Sequence, residues 1–89
     1  MKQEIYEDII VMLAFGIPEK GINNAIHKNI YEIVFTNTLK EYEIKSNFNK
    51  YSEILEINIP ELELHFSTKL KYKKNKKSWV LNDFFKPYF

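Results

Sequence analysis

The first fifteen positions have the hydrophobic spacing of an amphipathic helix. The spaced apolar residues are Ile5, Ile9, Met12 and Leu13. Intervals of three and four residues predict a helix over residues 3–15. Gly16 and then Pro18 supply its stop signal. Since apolar side chains cover most of its circumference after Asp8, we expect this helix to be covered on more than one side.

A second helix is predicted from about residue 19 to about residue 38. Its apolar positions keep the same three-four spacing and are Ile22, Ala25, Ile26, Ile30, Ile33 and Val34. The later part, from Tyr31 to Thr38, is rich in β-branched and aromatic residues. Such residues favour strands. A helix and a strand therefore both remain open for residues 31–38.

After residue 40 the hydrophobic period changes to two, which predicts strands. The first candidate strand directs Tyr42, Ile44 and Phe48 to one face, and the second, from Glu53 to Ile59, directs Leu55, Ile57 and Ile59 inward. The third directs Leu62, Leu64, Phe66, Leu70 and Tyr72 inward, and the last, from Ser78 to about Phe85, carries Trp79, Leu81 and Phe85 on one side. A polar connection, Lys73-Lys74-Asn75-Lys76-Lys77, predicts a hairpin between the last two strands.

These elements predict an α+β fold in which two N-terminal helices pack on one face of a roughly four-stranded antiparallel meander. The length of 89 residues predicts a single α+β domain over residues 1–89. A leading helical part, a meander and a last hairpin that ends in Trp79-Val80-Leu81-Asn82-Asp83 resemble the cystatin and NTF2-like layouts. The resemblance concerns topology, transfers no site residue, and implies at most a small-ligand pocket between the helices and a curved sheet.

The composition removes most catalytic chemistry. The chain has no Cys and only 2 Gly, and all 13 of its basic residues are Lys. There is therefore no thiol nucleophile, no thiolate metal site and no glycine-rich phosphate loop. Glu61, Glu63 and His65 alternate on one predicted strand face, but side chains on a flat strand diverge and do not converge on one ion. We therefore predict no catalytic residue, no metal site and no cofactor.

Charge is distributed unevenly along the chain. Residues 1–68 contain six Lys and eleven Asp or Glu, whereas residues 69–89 contain seven Lys and one Asp. Six lysines form the basic hairpin, a candidate partner-binding site: Lys69, Lys71, Lys73, Lys74, Lys76 and Lys77. They can contact an acidic protein surface or a phosphate backbone, or they can simply keep the sheet soluble. Tyr72 and Trp79 can stack on bases only if they face outward, and the alternation places them inside.

An aromatic tail closes the chain. Its residues are Phe84, Phe85, Tyr88 and Phe89. Aromatic residues are enriched at interface cores, so this tail is a candidate partner or dimer contact. The alternative is that the tail folds back and closes the open end of a small core.

The sequence thus favours a small non-enzymatic interaction protein that binds a macromolecular partner by occlusion. Small size and a composition rich in Lys, Ile and Asn suit a phage or mobile-element accessory protein, such as an inhibitor, an immunity protein or an adaptor. A protein partner is the first hypothesis, nucleic acid is the alternative, and a homodimer is a further option. The apolar run at residues 9–15 is too short to span a bilayer, so we expect a cytoplasmic protein without a membrane partner.

Overall fold

The computed structural model describes residues 1–82. The helices are α1 (Lys2–Phe15) and α2 (Ile22–Thr38). The strands are β1 (Ile17–Pro18), β2 (Lys45–Asn49), β3 (Ile54–Ile59), β4 (Leu64–Lys73) and β5 (Ser78–Leu81). A short 3-10 turn, Pro60–Leu62, separates β3 from β4.

All five strands belong to one antiparallel sheet with the order β1-β5-β4-β3-β2. The predicted α+β layout is confirmed, but the sheet has five strands instead of about four. The additional strand is β1, which lies between the helices in sequence and pairs Ile17 with Trp79 and Pro18 with Ser78. Two residues are too few to produce a period-two pattern, so the sequence gives no signal for this strand.

The helices bury one stripe each against the sheet. The stripe of α1 is Ile5, Ile9 and Leu13, and that of α2 is Ile26, Ile30 and Val34. Side chains four positions apart lie on the same helix face, which explains both stripes. The α2 stripe continues through Val34, and the hydroxyl of Thr38 donates a hydrogen bond to the Val34 carbonyl at 2.8 Å. Residues 31–38 are therefore helical, and the alternative of a strand there is wrong.

The sheet curls around this core. Phe48 on β2 and Trp79 on β5 are separated by two strands, which in a flat sheet would place their backbones roughly 14 Å apart. Their ring centroids nevertheless lie 4.9 Å apart in an edge-to-face contact. On the other side of the core, Tyr6 of α1 makes a similar contact with Phe66 of β4 at 5.1 Å. The curl lets residues from all layers meet in one hydrophobic cluster.

Two predicted element boundaries are wrong for local reasons. Helix α2 begins at Ile22, not near residue 19, because Gly21 adopts a left-handed conformation with φ 65° immediately before it. The third candidate strand begins only at Leu64, because Pro60–Leu62 forms the 3-10 turn and Glu63 is left-handed with φ 52°. Glu61 and Glu63 therefore do not share a strand face with His65.

Candidate functional site

The basic hairpin is formed by β4, β5 and the turn between them. At the end of the pairing between β4 and β5, Tyr72 lies opposite Trp79 and Lys73 lies opposite Ser78. The turn is closed by the amide of Lys76, which donates to the Lys73 carbonyl at 3.1 Å, and by the left-handed Lys77 with φ 49°. A left-handed residue lets a short turn match the twist of its strands. The turn therefore projects its side chains into solvent.

The hairpin brings together all six lysines that the sequence singled out. Lys69, Lys71 and Lys73 alternate along β4 with Leu70 and Tyr72 and so lie on the outer face of the sheet, opposite the buried core residues. The remaining three, Lys74, Lys76 and Lys77, are exposed on the turn. None of the six forms an ion pair within residues 1–82, where the one ion pair joins the amino terminus to Glu4. Their positive charge is therefore not neutralised by the described part of the chain.

A carboxylate lies on the opposite side of this hairpin. The Tyr72 hydroxyl donates a hydrogen bond to Glu19 Oε2 at 2.9 Å, and the Glu19 amide donates to the Lys77 carbonyl at 3.0 Å. Partial desolvation raises the pKa of Tyr72 above its usual value, and the hydrogen bond and the negative charge of Glu19 raise it further. The inner side of the hairpin therefore carries the negative charge of Glu19, whereas the outer side carries the positive charge of the β4 lysines.

The aromatic residues at the hairpin are only partly inside. Trp79 is half-buried between Phe48 and Tyr72, whose ring centroid lies 5.2 Å from its own. Tyr72 lies on the predicted inner face beside Trp79, but it is 38% exposed. Tyr72 follows Leu70, the last fully buried residue of β4, and lies beyond the end of the core. Both rings contact one another, and this contact occupies surface that base stacking would need.

Phe15 is an exposed residue that the sequence analysis did not single out. Its side chain is 86% exposed at the C-terminal end of α1. The helical period would have predicted this exposure. Phe15 follows the buried Leu13 by two residues, which rotates it by about 200° around the helix axis from the buried stripe. A large aromatic side chain in this position contributes apolar surface for a contact outside the core.

The other predicted features have different outcomes. The aromatic tail, Phe84, Phe85, Tyr88 and Phe89, lies outside the described residues. Among residues 1–82, no group of three His, Cys, Asp or Glu side chains is placed to hold a metal ion. His65 lies on β4 opposite Asn58 of β3. Glu61 and Glu63 are not its neighbours on the strand face, because both residues precede the start of β4 at Leu64.

Two further findings concern the protein beyond this site. No helix within residues 1–82 has both the length and the apolar content needed to cross a membrane. Comparisons of the chain with protein-family models, with curated proteins and with solved structures find no match.

Proposed function

We propose that this protein is a small non-enzymatic interaction protein that binds another protein through the basic hairpin and acts by occluding the partner's surface. The observation that carries the proposal is the charge of the hairpin. Six lysines are gathered on two strands and one turn, and none has a carboxylate partner within residues 1–82. A concentrated patch of one sign steers an oppositely charged partner toward it and raises the association rate.

The interior supports a binding role. The helix stripes and the inner sheet face contribute fully buried aliphatic side chains to one cluster, among them Ile9, Ile30, Leu55, Ile57 and Leu70. These side chains occupy the space between the helices and the curled sheet, where a small-ligand pocket of the cystatin or NTF2-like kind would lie. We therefore place the function on the surface of the protein.

A protein partner is favoured over nucleic acid by the surroundings of the lysines. Glu19 places a carboxylate on the inner side of the turn and so confines the positive charge to the outer side, which suits a local contact with a protein better than a phosphate backbone that follows both sides of the hairpin. The chain also has no Arg for bidentate phosphate contacts. Nucleic acid remains the second candidate because a cluster of lysines binds phosphates without regard to sequence.

The biological class that we propose is an inhibitor, an immunity protein or an adaptor encoded by a phage or another mobile element. The support for it is the small size of the chain and its composition, in which Lys, Ile and Asn are abundant and Arg and Cys are absent. Occlusion needs only a stable surface of complementary charge. A chain of this size can present such a surface without a catalytic site.

The test uses charge reversal at the turn. The variant carries Lys73, Lys74, Lys76 and Lys77 changed to Glu, and it is compared with the wild-type chain as bait in lysate of the host, with and without nuclease. We expect the wild-type protein to retain a partner after nuclease treatment and the variant to lose it, with a slower association rate once the partner is purified. Equal retention by both baits excludes the hairpin, and nuclease-sensitive retention that falls steeply with salt assigns the function to nucleic acid.

A further inference from the structure

A small cleft lies where the end of α1 meets the outer side of the basic hairpin. It has a volume of about 160 Å³, and Phe15, Lys71, Lys73, Lys76 and Val80 contribute to its walls. This volume is well below the roughly 300 Å³ at which small-molecule pockets begin. It corresponds to one or two side chains of a partner, not to a metabolite.

The fold assembles this cleft from three separate segments. Lys71 and Lys73 point to the same outer face because they are two residues apart on β4, and Lys71 lies opposite Val80. Lys76 comes from the turn. The end of α1 reaches them because Gly16, with φ 103°, redirects the chain from the helix into β1, which pairs with β5. The arrangement is therefore held by the sheet and not by a mobile loop alone.

Two kinds of chemistry meet in this cleft. Three lysines supply positive charge, and within residues 1–82 none of them is in an ion pair. Phe15, 86% exposed, supplies a large apolar surface directly beside them. Interface anchors commonly combine a buried aromatic contact with charged groups at its rim.

We propose that this cleft is the docking point for an acidic protein segment in which a carboxylate side chain lies next to an apolar one. The inference rests on the proposed function and adds the chemistry of the partner. The carboxylate contacts the amines of Lys73 and Lys76, and the neighbouring apolar side chain covers the exposed ring of Phe15. Charge complementarity selects this occupant, because no carboxylate of residues 1–82 lines the cleft.

The hairpin provides a matched control for this proposal. Lys73 and Lys76 line the cleft, whereas Lys74 and Lys77 are also exposed on the hairpin and do not line it. The double variants K73Q/K76Q and K74Q/K77Q therefore remove the same charge from the same hairpin. They differ in whether the substituted residues line the cleft.

The probe is a fluorescein-labelled peptide, Gly-Asp-Glu-Phe-Glu-Asp-Gly, whose binding to the full chain is followed by fluorescence anisotropy at low ionic strength. We expect K73Q/K76Q to weaken binding by about three- to tenfold, in line with two partly exposed ion pairs, and K74Q/K77Q by less than about twofold. Phe15→Ala, at an exposed position, should weaken binding without lowering stability. A peptide with Ala in place of its Phe should bind the wild-type chain as weakly as the intact peptide binds the Phe15→Ala variant.

Several outcomes overturn the proposal. Equal losses in the two double variants would mean that the turn acts only through its total charge. In that case the cleft is excluded, while the hairpin and the proposed function stand. Absence of peptide binding, or tighter binding of a single-stranded DNA oligonucleotide that both double variants weaken equally, would exclude an acidic protein segment at this place. Capture of a host protein in the lysate experiment is independent of all these results.

Discussion

The side-chain amide of Asn23 pairs with both backbone groups of Phe48. Asn23 Nδ2 donates to the Phe48 carbonyl at 3.1 Å, and Asn23 Oδ1 accepts from the Phe48 amide at 2.8 Å. Asn23 lies in the first turn of α2, and β2 is an edge strand of the sheet. One side chain thus fastens the helix to the sheet and occupies the place that a neighbouring strand would take.

Replacing Asn23 by Ala should lower the free energy of unfolding by about 1–3 kcal/mol, because two partly buried hydrogen bonds are lost. Asn24→Ala is the matched control, since Asn24 is the next residue of α2 and is exposed. It should change stability by less than about 0.5 kcal/mol. Urea unfolding measures both values. Since Ala favours helices more than Asn does, similar losses in the two variants would mean that a general effect of substitution in the first turn of α2, and not the contact with Phe48, explains the result.

The same substitution should affect self-association. Phe48 turns its backbone groups toward the open edge of β2, and by antiparallel alternation Ser46 does so as well. Removing the Asn23 amide leaves the backbone groups of Phe48 open beside those of Ser46, and unpaired edges add strands from other chains. We expect Asn23→Ala to elute as a larger species at high concentration in size-exclusion chromatography, whereas Asn24→Ala should elute as the wild-type chain does.

Gly16 is required by space as well as by backbone conformation. A Cβ atom there would lie 2.9 Å from Val80 Cγ1, and φ is 103°. Gly16→Ala should therefore cost about 2–4 kcal/mol, from crowding and strain together. Gly21→Ala is the comparison, because φ there is 65° and nothing lies within 4 Å of the new methyl group. It should cost only about 1–2 kcal/mol, and equal costs in chemical denaturation would contradict the close approach to Val80.

Thr68 has a fully buried hydroxyl that finds no hydrogen-bond partner within residues 1–82. A buried hydroxyl without a partner loses its hydration and gains nothing in return. Thr68→Val keeps the shape of the side chain and should raise the free energy of unfolding by about 1 kcal/mol. Thr68→Ser keeps the hydroxyl, loses a methyl group and should lower it by about 1 kcal/mol. A lower thermal midpoint for Thr68→Val than for the wild-type chain would show that the hydroxyl is satisfied in solution.

The raised pKa of Tyr72, caused first by partial desolvation and then by Glu19, predicts a dependence of stability on alkaline pH. Because the pKa of Tyr72 is raised in the folded state, the folded chain holds this proton at a pH where the unfolded chain has released it. The resulting stability is complete below about pH 10, the usual tyrosine pKa, and is lost as pH rises through the higher folded value.

We therefore expect the urea midpoint of the wild-type protein to fall more steeply above about pH 10 than that of Tyr72→Phe. The Tyr72→Phe variant should still lose some stability at alkaline pH, because Tyr6 and Tyr31 remain. Burial raises the pKa of Tyr6, and the hydrogen bond to Glu41 raises the pKa of Tyr31. Glu19→Gln retains a hydrogen-bond acceptor without the charge and should lie between the two proteins. Parallel curves for wild type and Tyr72→Phe would contradict the contact.

The sequence predicts those parts of the fold that are encoded by regular spacing. One helix face is defined by the four-residue spacing of Ile26, Ile30 and Val34, and one strand face by the two-residue spacing of Leu55, Ile57 and Ile59. Both spacings can be recognised without knowing the tertiary fold. The additional strand β1 was not predictable, since its pairing with β5 depends on how Gly16 turns the chain. For the same reason the candidate site was predicted only in part. The lysines lie close together in the sequence, whereas Phe15 approaches them only in the tertiary fold.

The left-handed residue that ends α2 offers a last test of local conformation. Leu39 has φ 60°, its amide donates to the Phe35 carbonyl at 2.7 Å, and its side chain is 77% exposed. A left-handed conformation strains every residue with a Cβ, and glycine is the usual residue at this place. Leu39→Gly should therefore raise the free energy of unfolding by about 0.5–1 kcal/mol, after allowance for the greater entropy of glycine in the unfolded chain. Leu39→Ala removes the same exposed side chain but keeps the Cβ atom, so it should not raise the free energy of unfolding. An equal increase in the Leu39→Ala and Leu39→Gly variants would assign the effect to the side chain instead of the backbone.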